Sequence, residues 1–438
     1  MPRSEQIELD TITVAFTAAV GAATVFAGFI PAFMVIRSDK DSSASPAVSG
    51  NFTRSGLRAR QALIAVQVAL VLPLLVISTL LWDTYRNLLG VDLGFQSTDI
   101  VVAELRVLKP SYRDPLALRT FELAIIDRVR QVPGVKAVTL TSAVPFSGMD
   151  WMRTVRPPAA TPILANERQV EPNFFDVMNI RLLEGRLLEP RDTAAGPRVA
   201  VISSSLAGKV YPEGTAVGNA LAVAGAPLIV GVVSDVRTRQ IQEAPTPAYY
   251  VPRAQSSSDL ICVVAKIGGV RADATLVSMA SRIREVDPEQ PLHLVNTLSG
   301  IVNGSVQDRR LYAITSVTFG FVALLLILVG MSGVVSQFVS ERTREIGVRA
   351  SVGATPVRLM WFMTRLVMTP VVVGLLIGAF VSFGAATIVR GTLFGVGAMQ
   401  SWPYLLGLAT VLLSTTAACV WSGRGIVSLD LSKALKHS

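Results

Sequence analysis

The hydrophobic positions of this chain fall into two patterns. Five long apolar runs, at 11–36, 62–82, 311–339, 366–389 and 403–421, contain no Asp, Glu, Lys or Arg. A span needs roughly 20 apolar residues to cross about 30 Å of hydrocarbon, so each run predicts a transmembrane helix. Between the second and third runs the apolar positions come in short stretches punctuated by Pro and Gly, the pattern of a folded domain outside the bilayer.

Within that domain, 100–107 is strand-like. Residues 115–132 have helical spacing, with Leu118, Phe121, Ala124, Ile125 and Val129 on one face. Pro133-Gly134 stops the helix, and 135–140 reads as a strand. The order recurs as strand 260–267, helix 272–286 with Leu276, Met279 and Ile283, a stop at Pro288, and strand 291–295. Two β-α-β units predict a ferredoxin-like sandwich, one sheet backed by two helices. Between them, 146–258 carries short apolar strands at 199–203, 220–223 and 228–233 and predicts a β-rich insert. The expected fold class is an α-helical membrane protein with five transmembrane helices plus a large α+β extracytoplasmic domain. The expected segments are an N-terminal helix in 1–36, a cytoplasmic linker 37–60, a helix in 61–82, the outside domain 83–308, and a three-helix membrane domain 309–438 with a loop at 340–363. The polar stretch 38–56 is expected to be flexible.

Charge orients these spans. Arg37, Lys40, Arg54, Arg58 and Arg60 lie in the first link. Arg342, Arg344, Arg349, Arg358 and Arg365 lie in 340–365, and Arg424, Lys433 and Lys436 in the tail. Five crossings with the N-terminus outside and the C-terminus inside put all three basic segments in the cytoplasm and 83–308 outside. Glu5, Glu8 and Asp10 against Arg3 have the wrong sign for a signal-peptide n-region.

Composition narrows the function classes. The chain has 438 residues, 51% hydrophobic and 16% charged, which excludes an ordinary soluble domain. The net charge of +9 sits beside the spans, and no nucleic-acid motif accompanies it, so no nucleic-acid partner is expected. Cys262 and Cys419 read as buried small hydrophobes. His293 and His437 are far apart, so neither a metal nor another cofactor is expected. There is no phosphate loop and no nucleophile elbow. Glu171, Asp176, Glu184, Glu189, Asp192 and Asp235 read as solvated loop acids, and Asp235-Val-Arg237 as a turn closure. No catalytic residue is therefore assigned.

The spans lack the charges that mark an ion or proton route. Gln67 predicts a helix–helix hydrogen bond. Gly374, Gly378, Ser382 and Ala386, each four apart, form a small-residue face that suits packing within the chain or a dimer contact. Pro73 and Pro370 predict helix kinks or starts. In the 340–355 loop, Glu345 and Arg349 are i,i+4 in the favourable order, and Gly347 and Gly353 allow close approach. The loop is either a solvated orienting segment or a docking site for a cytoplasmic partner.

The residues Glu341-Arg-Thr-Arg-Glu-Ile-Gly-Val-Arg349, followed by Val-Gly-Ala-Thr355, resemble the loop after the first span of the FtsX-like ABC permeases. The tail Asp430-Leu-Ser-Lys-Ala-Leu-Lys436 is similar to that family's ending, with Leu431 where Pro is usual. Val144-Pro-Phe-Ser-Gly148, Glu171-Pro-Asn-Phe-Phe175, Leu183-Glu-Gly-Arg186, Arg198-Val-Ala-Val-Ile202 and 229–237 resemble the MacB-type periplasmic core. The resemblance covers roughly 60–438. It implies a non-catalytic permease subunit of the bacterial inner membrane, used in efflux or mechanotransmission. A separate ATPase would dock on Glu341, Arg342, Arg344, Glu345 and Arg349, with Gly347 and Gly353 shaping the loop. It implies a second permease unit as partner, identical or related, and a periplasmic adaptor in some systems. A family unit has one span before the domain, so the extra run at 11–36 resembles the end of a preceding unit in tandem permeases of acidobacterial type. The alternative from another class is a membrane-anchored periplasmic binding or sensing protein without an ATPase.

Overall fold

The computed structural model describes residues 52–157, 161–212, 214–256, 258–269, 271–341, 356–397 and 399–427. The expected span at 11–36 lies outside them. The chain divides into two units, Leu88–Asp308 and the segments on either side of it.

The flanking unit is built from α1 (Phe52–Leu89), with α7 (Gln307–Glu341), α8 (Pro356–Val389) and α9 (Ser401–Val427) following the domain. Among the described residues, four helices are long and apolar enough to cross a membrane, at Gln61–Leu89, Gln307–Gly333, Val367–Val389 and Ser401–Val420. The helices outrun the apolar runs. Residues 52–60, in the expected cytoplasmic linker and overlapping the stretch 38–56 expected to be flexible, are helical. Leu57, Arg58, Ala59 and Arg60 are good helix formers, and adding them to an existing helix avoids the cost of nucleation. The loop expected at 340–363 is likewise helical from Pro356 onward. Proline is favoured in a first turn, where its missing N–H costs nothing. Pro73 and Pro370 sit inside their helices.

In the 88–308 unit, β1 (Ile100–Arg106), α2 (Pro115–Arg130) and β2 (Val135–Thr141) form the first β-α-β unit. The second is β9 (Leu260–Ile267), α5 (Ala272–Val286) and β10 (Leu292–Thr297). These strands lie in the order β10-β1-β9-β2, with every neighbour antiparallel. That is the ferredoxin-like arrangement. Asp114 caps α2 by accepting from the Leu116 and Ala117 amides, and Pro115 opens it. Val101, Ala103, Leu105, Ile261 and Val263 bury one sheet face with Phe121, Ile125, Met279 and Ile283 of the two helices. Ile100, Val102, Cys262 and Val264 bury the other face with Phe174, Phe175 and Tyr250. Covering on both faces explains why the central strands β1 and β9 read as nearly continuous apolar runs.

The insert contributes β3 (Met152–Val155), β4 (Ile163–Val170), α3 (Phe174–Met178), β5 (Leu182–Gly185), β6 (Val199–Ser203), α4 (Ser204–Val210), β7 (Leu228–Val233) and β8 (Ala248–Pro252). Its strands extend the same sheet, as β2-β4-β8-β6-β7-β5, joined to it at Thr141 and Val170. The β4–β8 and β6–β7 pairs are parallel. The strand expected at 220–223 is a single bridge from Ala220 to Leu228. The chain turns too soon to pair further, with Gly225 at φ +83° and the Leu221 amide donating to the Pro227 carbonyl. A short α6 (Leu298–Ser305), capped by the Thr297 hydroxyl, leads out of β10.

Candidate functional site

The basic loop is held between α7, which ends at Glu341, and α8, which opens at Pro356. Arg342, Arg344, Glu345, Gly347, Arg349 and Gly353 lie outside the described residues, and Glu341 is described as the last helical residue of α7. What the structure places in detail is the helix bundle that carries this loop.

The small-residue face of α8 lies against α1. A Cβ on Gly374 would sit 2.5 Å from the Ala65 carbonyl oxygen and 2.8 Å from the Val68 Cβ. A Cβ on Gly378 would lie 3.1 Å from the Ala69 Cα and the Leu72 Cβ. Ser382 and Ala386 are fully buried, and the Ser382 hydroxyl donates to the Gly378 carbonyl at 2.6 Å. Lipid tails are as apolar as leucine, so helices in a membrane associate through close packing rather than through burial from water.

The other helices meet α1 in the same manner. Gly320 of α7 faces the Ser78 hydroxyl, whose oxygen would be 3.1 Å from an added Cβ. Gly330 of α7 faces the Gln67 amide, and Gly407 of α9 faces Leu72. Helix α1 is therefore the shared partner of α7, α8 and α9. Gln67 does not make the hydrogen bond its polarity suggested: its buried Oε1 has no partner, and its amide covers the Gly330 backbone instead. Isolated glycines at 320, 330 and 407 carry no periodic signal, so sequence reading misses these contacts.

In the domain, two of the six acids read as solvated, Glu171 and Asp192, are buried in ion pairs, whereas Asp176 and Glu184 are exposed as expected. Glu171 takes the Arg119 guanidinium in a forked contact, and Arg119 also reaches Glu122 at 3.1 Å. Glu122 accepts from the Arg253 Nε at 2.6 Å, and the Arg253 guanidinium also donates to the Leu260 and Ser258 carbonyls. This chain of four charges joins α2 to the ends of β4 and β8. Asp192 makes a two-point contact with Arg186, both at 2.9 Å, and that partner holds its carboxyl below the usual aspartate value. Asp150 binds the buried Arg168 at 2.8 Å and the Asn166 amide at 2.5 Å. Asp235 accepts from the Ser204 hydroxyl and the Ser205 amide, while Arg237 donates to the Ile241 and Glu243 carbonyls. Arg237 thus closes the local turn expected there, while Asp235 instead caps the start of α4. Burial pushes the Cys262 thiol up to about 12, so Cys262 behaves as an inert apolar side chain.

Two family models match the chain, a MacB-like periplasmic core domain over residues 37–284 and an FtsX-like permease C-terminal domain over 317–431. The chain is similar to a Bacillus subtilis protein described as an uncharacterized ABC transporter permease, YknZ. The two are 25% identical over 256 residues, which is 55% of this chain and 60% of that one. It is also similar to the macrolide export ATP-binding/permease protein MacB of Aggregatibacter actinomycetemcomitans, 25% identical over 210 residues, 45% of this chain and 31% of that one. The match thus spans less than two thirds of these relatives' own length. Among solved structures, the periplasmic region of MacB from Actinobacillus actinomycetemcomitans aligns with a TM-score of 0.36 and 15% identity, over 50% of this chain and 95% of that one.

Proposed function

This chain belongs to the ABC transporter permease family that joins a MacB-like periplasmic core domain to an FtsX-like C-terminal domain, and from that premise we propose that it couples ATP hydrolysis by a separate ATPase to movement of the 88–308 domain. The ATPase docks on Glu341, Arg342, Arg344, Glu345 and Arg349, with Gly347 and Gly353 shaping the loop. The chain sits in a bacterial inner membrane with five crossings, its N-terminus outside and its C-terminus inside. It works beside a second permease unit, and a periplasmic adaptor extends the path where one is used. Substrate does not pass between the spans, in keeping with their lack of charge.

The observation that carries this reading is α7. It is one helix of 35 residues, running from the exit of the domain to the start of the basic loop. At 1.5 Å per residue that is about 52 Å, well beyond about 30 Å of hydrocarbon. No proline interrupts it. A continuous helix moves as a rod, so a displacement at its loop end carries to its Gln307 end. The close seams from α1 to α7 and α8 support the same reading, because they make the bundle move as one body.

The test is co-purification of the full chain with candidate ABC ATPases from its own cell, in nanodiscs, with ATP hydrolysis recorded. Changing Arg344 and Glu345 to Ala is expected to weaken the complex at least about tenfold, the equivalent of about 1.4 kcal/mol. A complex that tolerates both changes places the docking surface elsewhere. No ATPase at any stoichiometry favours the membrane-anchored binding or sensing protein.

A further inference from the structure

We propose that the groove between α1, α7 and α9 binds one lipid from the leaflet on the domain side, a zwitterionic lipid whose headgroup carries a phosphate and a primary ammonium. The groove encloses about 480 Å³. Its α1 wall is a single helical stripe, Leu75, Ser78, Thr79, Trp82, Asp83 and Arg86, at i,i+3 and i,i+4 spacing. Its charged lining residues, Asp83 and Arg86, lie near the C-terminal end of α1, which leads into the domain.

Its length matches a leaflet. From Leu75 to Arg86, α1 rises about 16 Å at 1.5 Å per residue, against about 15 Å for half the hydrocarbon thickness. A groove of that reach accepts one acyl chain lying along the helix. Its interior is apolar despite two hydroxyls. Thr79 donates to the Leu75 carbonyl at 2.9 Å. Ser78 lies 2.6 Å from both the Leu74 and Ser316 carbonyl oxygens and donates to either one. With its hydroxyls turned to the backbone, the wall shows mainly carbon to the groove, and the exposed ring of Phe321 continues it on α7.

The mouth sets the headgroup. Trp82 and Trp402 are exposed there, at the level where tryptophan marks the membrane–water interface. Next to Trp82 along the helix is Asp83, and one turn further is Arg86. Among the described residues, neither is engaged in an ion pair or a side-chain hydrogen bond. A guanidinium suits a phosphate, and a carboxylate beside it suits an ammonium. A lipid with a phosphate and no cation would meet Asp83 as a like charge. The pair therefore favours the zwitterion over the anion.

The proposal rests on the membrane reading above but not on the ATPase, and its readout is lipid, so the two fail separately. The full chain is placed in nanodiscs of equal phosphatidylethanolamine and phosphatidylglycerol, released into mild detergent, and weighed by native mass spectrometry. One retained phosphatidylethanolamine per chain is expected, about tenfold over phosphatidylglycerol. Thr79→Trp fills the groove and removes it. Asp83→Asn, a change at the water-facing mouth that leaves packing intact, shifts retention toward phosphatidylglycerol. Leu376→Trp, on an exposed face of α8, keeps the wild-type pattern. Equal retention of the two lipids by the unaltered chain overturns the proposal, as does a folded Thr79→Trp chain with its lipid intact. A disulfide between Thr79→Cys and a cysteine placed in 11–36 would assign the groove to that run and overturn it too.

Discussion

Arg253 in the domain and Gln67 in the membrane unit are both polar side chains withdrawn from their solvent, and their surroundings differ. The Arg253 side chain is 1% exposed and Glu122 is 4% exposed, and each guanidinium nitrogen meets an acceptor. Gln67 has an orphaned Oε1, and its amide is pressed on a glycine. In the domain, burial from water supplies the driving force, and the buried Glu122–Arg253 pair is tolerated because each charge meets the other. In the bilayer, apolar contact alone drives little association, so the helices rely on missing side chains to bring backbones together. The domain is therefore most sensitive to unpaired charge, and the helix bundle to added volume.

The largest effect is expected from unpairing. Glu122→Ala leaves Arg253 buried against two carbonyls and frees one arm of Arg119. Removing one partner of a buried pair costs about 3–5 kcal/mol. The double change Glu122→Leu with Arg253→Met removes both charges and is expected to recover most of that loss. Thermal unfolding of the full chain, read by protease resistance of 88–308, measures both. Equal loss in the single and double variants would mean that the pair contributes shape rather than charge compensation.

Added volume in the bundle should cost less. Gly374→Leu drives a Cβ against the Ala65 carbonyl oxygen, a backbone atom that cannot swing aside. Overpacking of this kind costs about 1–3 kcal/mol. Gly384 lies in the same helix, and a Cβ added there would meet nothing within 4 Å. Both changes gain the same helix propensity, about 0.8–1 kcal/mol over glycine, so their difference isolates the clash. Gly384→Leu is expected to be neutral or stabilising in the same melt. Loss of the difference would show that α1 and α8 can part freely.

What could be read from sequence follows the same divide. The two β-α-β units were legible because each strand is rich in apolar and β-branched residues and each helix has a one-sided stripe. Strand β4 was not: Asn166, Glu167, Arg168 and Gln169 run through its middle. Asn166 and Arg168 point inward and each donates one hydrogen bond to Asp150, sixteen or more positions away. Local pattern carries no trace of such a partner. Glu171 was misread for the same reason, since Arg119 lies on a different element. On α8 the four-residue spacing exposed a small-residue face, but which helix it meets depends on tertiary structure. The basic loop drew attention through charge bias and family resemblance, and the structure adds the two helices that frame it.

The smallest effect tests the domain from the opposite sign of charge. Strand alternation turns Glu104 to the same face as Ile100 and Val102, opposite Cys262 on β9 and Leu294 on β10. It is 5% exposed and has no cationic partner within salt-bridge reach among the described residues. Burial pushes its carboxyl above the ordinary 4.5, with His293 and Cys262 pulling partly back. The native state thus keeps a proton that the unfolded chain releases. Its contribution is fully present below the unfolded value and is lost as pH rises from about 4.5 through the raised folded value. Asp192 runs the other way: its lowered value makes a contribution that is present above the unfolded value and is lost as acid protonates it. Glu104→Gln should therefore flatten the decline on the alkaline side and raise the neutral-pH midpoint by a few degrees. Asp192→Asn should lower that midpoint and flatten the acid limb. Melts of the full chain across this pH range separate the two limbs. Opposite slopes at the two sites would mean that an unpaired acid and a paired one are stabilised in opposite protonation states within one domain.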